Sequence, residues 1–408
     1  MEMQMLDSDS DTEEQIEFGV SKLRNIDGVT CYMNSVLHIL QQCPEFIQFI
    51  TQVQFRDTIM KKIESKKLKE SLSEEQEIKV LKNFLVFELF RLFKTSHEND
   101  DSIIAPNRFK QIVGDKNDMW NERRYQDSQE FFNFLISNIQ EDCGLKHEFI
   151  PGKLLPNMSD VIYSTLEKEL SSFTRTIDTI SNIVAQKNFM RFHTHEYSLL
   201  KDMFDGMTLI TKQCIYCKSK NSTYEPYLHL QVSIPIDKLS SENKNKSFSI
   251  DECLEHFTDQ EQLDEHNRWI CNFCGLKNRA LTKTELWKTP KIMVIHFKRF
   301  IFNAYGIVTN KITNNVDYPI YDLDLTKYFS TRSPFINKAK YNLFGVNIHE
   351  SFGSAQNANS GHYTSYIKNM INHNWHLYND SSSVKTLYNK QEIQNKNAYL
   401  LFYYLNDN

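Results

Sequence analysis

No stretch of this 408-residue sequence approaches the roughly 20 apolar residues needed to cross a bilayer. The most apolar candidate, Asn83 to Phe93, is interrupted by Glu88 and Arg91, so no membrane insertion is expected. The opening segment has neither the basic n-region nor the apolar core of a secretory signal and carries the acidic run Asp7 to Glu14 instead. Residues 1–17 read as a disordered acidic tail. Lysine and arginine are spread along the chain, and the net charge is −5, so the electrostatic footprint of a nucleic-acid binder is missing. No internal repeat is evident. With no secretory signal, the eight cysteines point to a reducing, intracellular compartment, cytoplasmic or nuclear, where thiols act as metal ligands or nucleophiles more often than as disulfides.

The composition is that of a globular protein, because 40% hydrophobic residues with 28 Phe and 19 Tyr fill one large core or two joined ones. The first half reads as helical. Cys31 to Gln42 carries Val36, Leu37 and Leu40 at helical spacing before Pro44, and Ile78 to Phe93 continues the pattern. A third helix is expected from about Ser128 to Glu141, with Asp127 and Glu130 spaced as in a capping box. The second half reads as strand. Leu228 to Ile234 alternates strictly, and further strands are expected at Ile292 to Phe297, Tyr341 to Ile348, His362 to Lys368, Trp375 to Tyr378 and Tyr399 to Tyr404. Helices followed by strands predict an α+β fold. The polar run Leu239 to Lys246 and the small-residue segment Ser351 to Gly361 read as surface loops.

Cys31 follows a glycine-containing turn, Gly28-Val29-Thr30, and opens an amphipathic helix. Free N–H groups and the positive end of the helix dipole stabilise a thiolate there and are expected to lower its pKa. Cys43, Cys143 and Cys253 have no such setting and read as structural. Far along the chain, His362 starts a strand just after the small-residue loop, and a short turn brings Trp375 to Asp380 back. A hairpin would place Asn379 near His362, where its carbonyl oxygen accepts from the imidazole and fixes the tautomer. His38, His193, His195, His229, His349, His373 and His376 read as satisfied or solvated.

Two Cys-x-x-Cys pairs, Cys214/Cys217 and Cys271/Cys274, offer four thiolates to one tetrahedral ion, which would be a structural zinc with no open position. Four unmetallated thiols or a redox pair is the alternative.

Thr30-Cys31-Tyr32-Met33-Asn34-Ser35, preceded by Gly19, Leu23, Asn25 and Gly28, resembles the cysteine box of the ubiquitin-specific proteases. Tyr125 to Phe131 resembles their glutamine box, Ile295 to Phe300 a strand motif ending in Arg-Phe, and Gly361-His362-Tyr363 with Trp375 and Tyr378-Asn379-Asp380 their histidine box. The resemblance spans about Phe18 to Tyr404, and the order Cys, His, Asn is that of papain-like proteases. It implies a papain-like fold with a helical thumb over about 18–150 and a β-rich palm with fingers over about 151–406. A zinc ribbon would lie within about 205–285.

By that resemblance the enzyme is a deubiquitinase, expected to be monomeric, whose partners are ubiquitin and ubiquitinated proteins. Cys31 is its nucleophile, His362 its base and Asn379 its third member, with Asp380 as the alternative polar partner. Asp127 and Glu130 would meet arginines of the ubiquitin tail, and Tyr363 and Phe300 would line the tail's path. One departure bears on mechanism. The family's oxyanion-donating Asn lies five residues before the nucleophile, where this chain has Ile26. Either the turn bulges so that Asn25 still serves, or backbone N–H groups do. The rival expectation is a ubiquitin-binding scaffold that kept the fold and zinc but lost efficient chemistry.

Overall fold

The computed structural model describes residues 21–51, 59, 61, 82–99, 102–144, 173–193, 197–239, 245–303, 305, 308–337, 339–352, 361–370 and 372–406. The acidic tail, part of Leu239 to Lys246 and most of Ser351 to Gly361 lie outside the described residues.

Helices come first. Every residue of α1 (Cys31–Gln41) is buried, so this helix runs through the interior with its nucleophile candidate at the leading end. Pro44 does not simply follow it: a proline N–H is dispensable in a first turn, and Pro44 opens α2 (Pro44–Thr51). Next come α3 (Leu85–Glu98) and α4 (Asn107–Lys116). The helix α5 (Ser128–Cys143) starts where expected, because Asp127 Oδ1 accepts from Gln129 N at 2.7 Å and Glu130 N at 3.3 Å. Two further helices, α6 (Phe173–His193) and α7 (Leu199–Phe204), precede the strands. Among the described residues no helix is long and apolar enough to cross a membrane.

The strands form two sheets that matter for function. A four-stranded sheet contains β1 (Gly206–Cys214), β2 (Lys220–Tyr227) and β4 (Ala280–Lys288), with β1 central and antiparallel to both. The alternating segment supplies β3 (Leu230–Ser233), which pairs in parallel with β5 (Ile292–Lys298) at the edge of a larger, eight-stranded sheet. In that sheet β6 (Lys340–Ser351), β7 (Gly361–Lys368), β8 (Trp375–Tyr378) and β9 (Lys385–Leu387) are joined to β5 through β10 (Ala398–Leu405). All the strands expected in this half form, each within a few residues of the expected bounds.

This sheet is buried on both faces, which is why β10 reads as the near-continuous apolar run Ala398 to Leu405 rather than an alternation. Val294, Leu400 and Phe402 pack toward α1 and α5, whereas Met293, Ile295, Leu401 and Tyr403 pack in a second cluster with Leu230 and Val232. One buried polar residue pins the layers. Asn347 of β6 donates from Nδ2 to Ser35 Oγ of α1 at 2.8 Å and accepts at Oδ1 from Ser128 Oγ of α5 at 2.9 Å.

Candidate active site

The thiol of Cys31 is 1% exposed at the start of α1. Its burial is the dominant influence and pushes it up to about 11, opposite to the depression expected from the helix start alone. Three backbone N–H groups, first that of Tyr363 and then those of Tyr32 and Cys31 itself, aim at the sulfur and favour its anionic form, while the Asp380 carboxylate opposes it. Burial thus favours the neutral thiol, which lies against the main chain of the residue that follows His362.

His362 stands second in β7, opposite Glu350 of β6. The expected hairpin forms, with Ser365 opposite Tyr378, and it returns Asn379 to the imidazole. His362 Nε2 donates to Asn379 Oδ1 at 2.7 Å, which sets Nδ1 as the nitrogen able to take a proton. Asp380 Oδ2 lies 3.8 Å from the same Nε2, so Asn379 holds the hydrogen bond and Asp380 supplies the nearby charge. The glycine before His362 has a steric reason. A Cβ at Gly361 would meet His349 Nε2 at 2.2 Å and the backbone oxygen of Glu350 at 2.7 Å.

The extra residue before the nucleophile is absorbed by a left-handed bend, with φ 56° at Asp27 and 73° at Gly28. Asn25 remains next to the site but is already engaged. Its Oδ1 accepts from Thr30 N at 2.8 Å, and its Nδ2 donates to Asp380 Oδ2 at 2.9 Å, leaving one amide hydrogen for any other task. Asn34, one helical turn after Cys31, donates to Asp380 Oδ1 at 2.8 Å. Asn34 lies within the cysteine box, yet nothing local in the sequence marks it for this contact.

Of the two acidic residues at the start of α5, Asp127 is occupied as the helix cap and as acceptor for Tyr399 OH at 2.6 Å, while Glu130, in the first turn, is exposed. Tyr363 and Phe300 are buried. Tyr363 is 3% exposed and lies against His349, and Phe300 is 9% exposed between His349 and Tyr399. Both side chains pack among aromatic neighbours. Arg299, in the same motif, is a buried staple that donates to the carbonyls of Ala398, Ile312 and Asn314. His349 is fully buried, not solvated, and its Nδ1 accepts from the buried Lys311 Nζ at 2.9 Å.

The four cysteines of the two pairs converge, with their sulfurs all within 4.8 Å of one another. Both pairs adopt the same knuckle. Lys218 N bonds Cys214 O and Gly275 N bonds Cys271 O, with Lys218 at φ 61° and Gly275 at φ 72°. This is a cluster of the kind that holds a metal ion. Ser219, which no spacing pattern marks, places its hydroxyl 3.0 Å from Cys217 Sγ and 3.2 Å from Cys271 Sγ.

Known proteins resemble the chain in sequence and in fold. The profile of the family described as ubiquitin carboxyl-terminal hydrolase matches residues 21–403. Ubiquitin carboxyl-terminal hydrolase 4 of Saccharomyces cerevisiae is 28% identical over 95% of this chain and 39% of its own length. Ubiquitin carboxyl-terminal hydrolase 2 of Rattus norvegicus is 28% identical over 95% of this chain and 54% of its own. A probable ubiquitin carboxyl-terminal hydrolase, R319, of Acanthamoeba polyphaga mimivirus is 24% identical over 99% of this chain and 94% of its own. The chain thus spans about half or less of the yeast and rat relatives. In fold it is similar to a chain of the SAGA DUB module of Ubp8, Sgf11, Sus1 and Sgf73 bound to monoubiquitin, with a TM-score of 0.64 at 20% identity over 100% of this chain and 74% of that one. With its helices leading into a two-faced sheet and its thiol beside the histidine strand, the chain belongs to the ubiquitin carboxyl-terminal hydrolase family.

Proposed function

We propose that the chain is an intracellular, monomeric cysteine hydrolase that cleaves the isopeptide or peptide bond after the C-terminal glycine of ubiquitin. The hydrogen bond from His362 to Asn379, beside a thiol held against the next residue's main chain, carries this assignment. Cys31 gives its proton to His362 Nδ1 as its sulfur attacks the glycine carbonyl. The imidazolium returns that proton to the departing amine, and a thioester to ubiquitin remains. Water then attacks the thioester, with His362 as base, and Cys31 recovers its proton when the carboxylate leaves. The N–H groups at the start of α1 and the second amide hydrogen of Asn25 are suited to the oxyanion. Glu130, exposed beside the cap, suits an arginine of the ubiquitin tail better than the occupied Asp127.

The catalytic domain is taken as residues 18–406, with the thumb over about 18–150 and palm and fingers over about 151–406. Zinc is the metal that fits the cysteine cluster. Tetrahedral Zn–S bonds of about 2.3 Å require sulfurs roughly 3.8 Å apart, and the cross-pair separations are 3.9 Å for Cys214 to Cys274 and 3.6 Å for Cys217 to Cys271. A closed set of four thiolates makes the ion structural. Tyr216, Ile270, Phe273 and Leu276 stand exposed around it, an apolar tip suited to gripping the globular part of ubiquitin.

Incubation with ubiquitin bearing a C-terminal thiol-reactive warhead tests the proposal. An adduct is expected that is lost in Cys31→Ala and His362→Ala and kept in Cys143→Ala. Reversible ubiquitin binding with no adduct would establish the scaffold instead.

A further inference from the structure

Two side-chain amides from the helical half converge on one carboxylate of the sheet half. Asp380 Oδ1 accepts from Asn34 at 2.8 Å and Oδ2 from Asn25 at 2.9 Å, and the same Oδ2 faces His362 Nε2 at 3.8 Å. The orientation of Asn34 is settled by its surroundings. Its amide group faces only acceptors, namely the carbonyls of Leu23 at 3.4 Å and Arg24 at 3.3 Å besides Asp380, so the NH2 end must point at them. Asn34 is 1% exposed, so these bonds are made in the interior.

Asp380 needs such help. It is 9% exposed and has a left-handed backbone, φ 47°. Burial raises its pKa, and the amide of Asn34 is the largest opposing influence, ahead of His362 and Asn25. Without donors on both oxygens, a carboxyl in this place takes up a proton or turns away, and in either case the imidazole loses a negative neighbour.

We infer that Asn34 is a positioning residue for the hydrolase: it holds Asp380 ionised and aimed at His362, so that the imidazolium formed when Cys31 gives up its proton is stabilised. Asn379 fixes the tautomer and Asp380 supplies the charge that a neutral amide lacks. The nucleophile's own helix thereby sets the electrostatics of the base, since Asn34 lies one turn from Cys31. This rests on the hydrolase assignment proposed above.

A double-mutant cycle tests it, with two readouts on the full chain: hydrolysis of a ubiquitin C-terminal fluorogenic amide and alkylation of Cys31 by iodoacetamide, which needs no ubiquitin. Asn34→Ala and Asp380→Asn are each expected to lower kcat and the alkylation rate about tenfold, with KM within twofold of the parent. The double variant is expected to fall no further than Asp380→Asn alone. Multiplicative losses in the double variant, a parental kcat in Asn34→Ala, or a loss confined to KM would each overturn the inference. Asn34→Leu, close in shape but without a donor, replaces Asn34→Ala if thermal melts show that the alanine variant unfolds. A parent that shows the non-additive cycle in alkylation yet does not hydrolyse the ubiquitin amide would refute the ubiquitin assignment alone. A parent that hydrolyses it with an additive cycle refutes only the role of Asn34.

Discussion

Tyr399 of β10 donates its hydroxyl to Asp127 Oδ2 at 2.6 Å, joining the last strand to the cap of α5 across 272 residues of sequence. The contact steadies the segment that carries Glu130. Tyr399→Phe removes one hydrogen bond to a charged acceptor and is expected to cost about 1.5–3 kcal/mol in urea unfolding. KM for a ubiquitin substrate should rise more than kcat falls. An unchanged unfolding midpoint would mean that the bond contributes nothing.

The close approach at Gly361 is equally specific. A methyl group there meets a backbone oxygen, which cannot swing aside as a flexible side chain would. Gly361→Ala is expected to destabilise by about 1–3 kcal/mol and to lower kcat by displacing His362, the next residue. Retention of full activity together with full stability would contradict the geometry.

Metal removal separates grip from chemistry. The four sulfurs lie at the far ends of β1 and β4 from the sheet that carries His362. Chelation, or Cys217→Ser with Cys271→Ser, is expected to lower the melting temperature and raise KM, while alkylation of Cys31 by a small reagent stays within about twofold. Metal analysis of the purified chain should give one zinc per molecule. Loss of alkylation in step with loss of metal would show that the cluster shapes the active site directly.

Asp205, just after α7, gives a pH signature. Burial pushes it up to about 6 despite Lys201 at 3.4 Å. Its neutral form is thus favoured in the folded chain, so the folded state binds the extra proton. The stability this gives is complete below about pH 4, the unfolded value, and is lost as pH rises through about 6. Asp205→Asn should lack that loss, and at pH 7 should exceed the parent by up to about 3 kcal/mol, the equivalent of a shift of about two units. Parallel stability curves for the two proteins between pH 4 and 7 would refute this.

Much of this was legible in the sequence because local chemistry and tertiary role agreed. Cys31 at a helix start, Asp127 as a cap, the hairpin that returns Asn379 to His362 and the two cysteine knuckles each follow from short-range patterns. What escaped was set by burial. The depression expected for Cys31 came from the helix terminus, which sequence reveals, whereas desolvation by residues hundreds of positions away wins. Tyr363 and Phe300 are buried among aromatic rings, which alternation along a strand does not announce. Asn34 looks like any polar helix residue until the fold brings Asp380 to it. The helix α6, rich in Thr and Ile, which are poor helix formers, gave no periodic signal strong enough to announce it.

Asn347 limits how this molecule can admit a guest. Its amide is shared by two helices and a strand in a dry interior, so prising those walls apart would strand polar atoms at about 1–3 kcal/mol each. A wide hinge through that junction is therefore disfavoured, and uncovering the sulfur falls to smaller adjustments at the rim, made while the framework beneath stays locked.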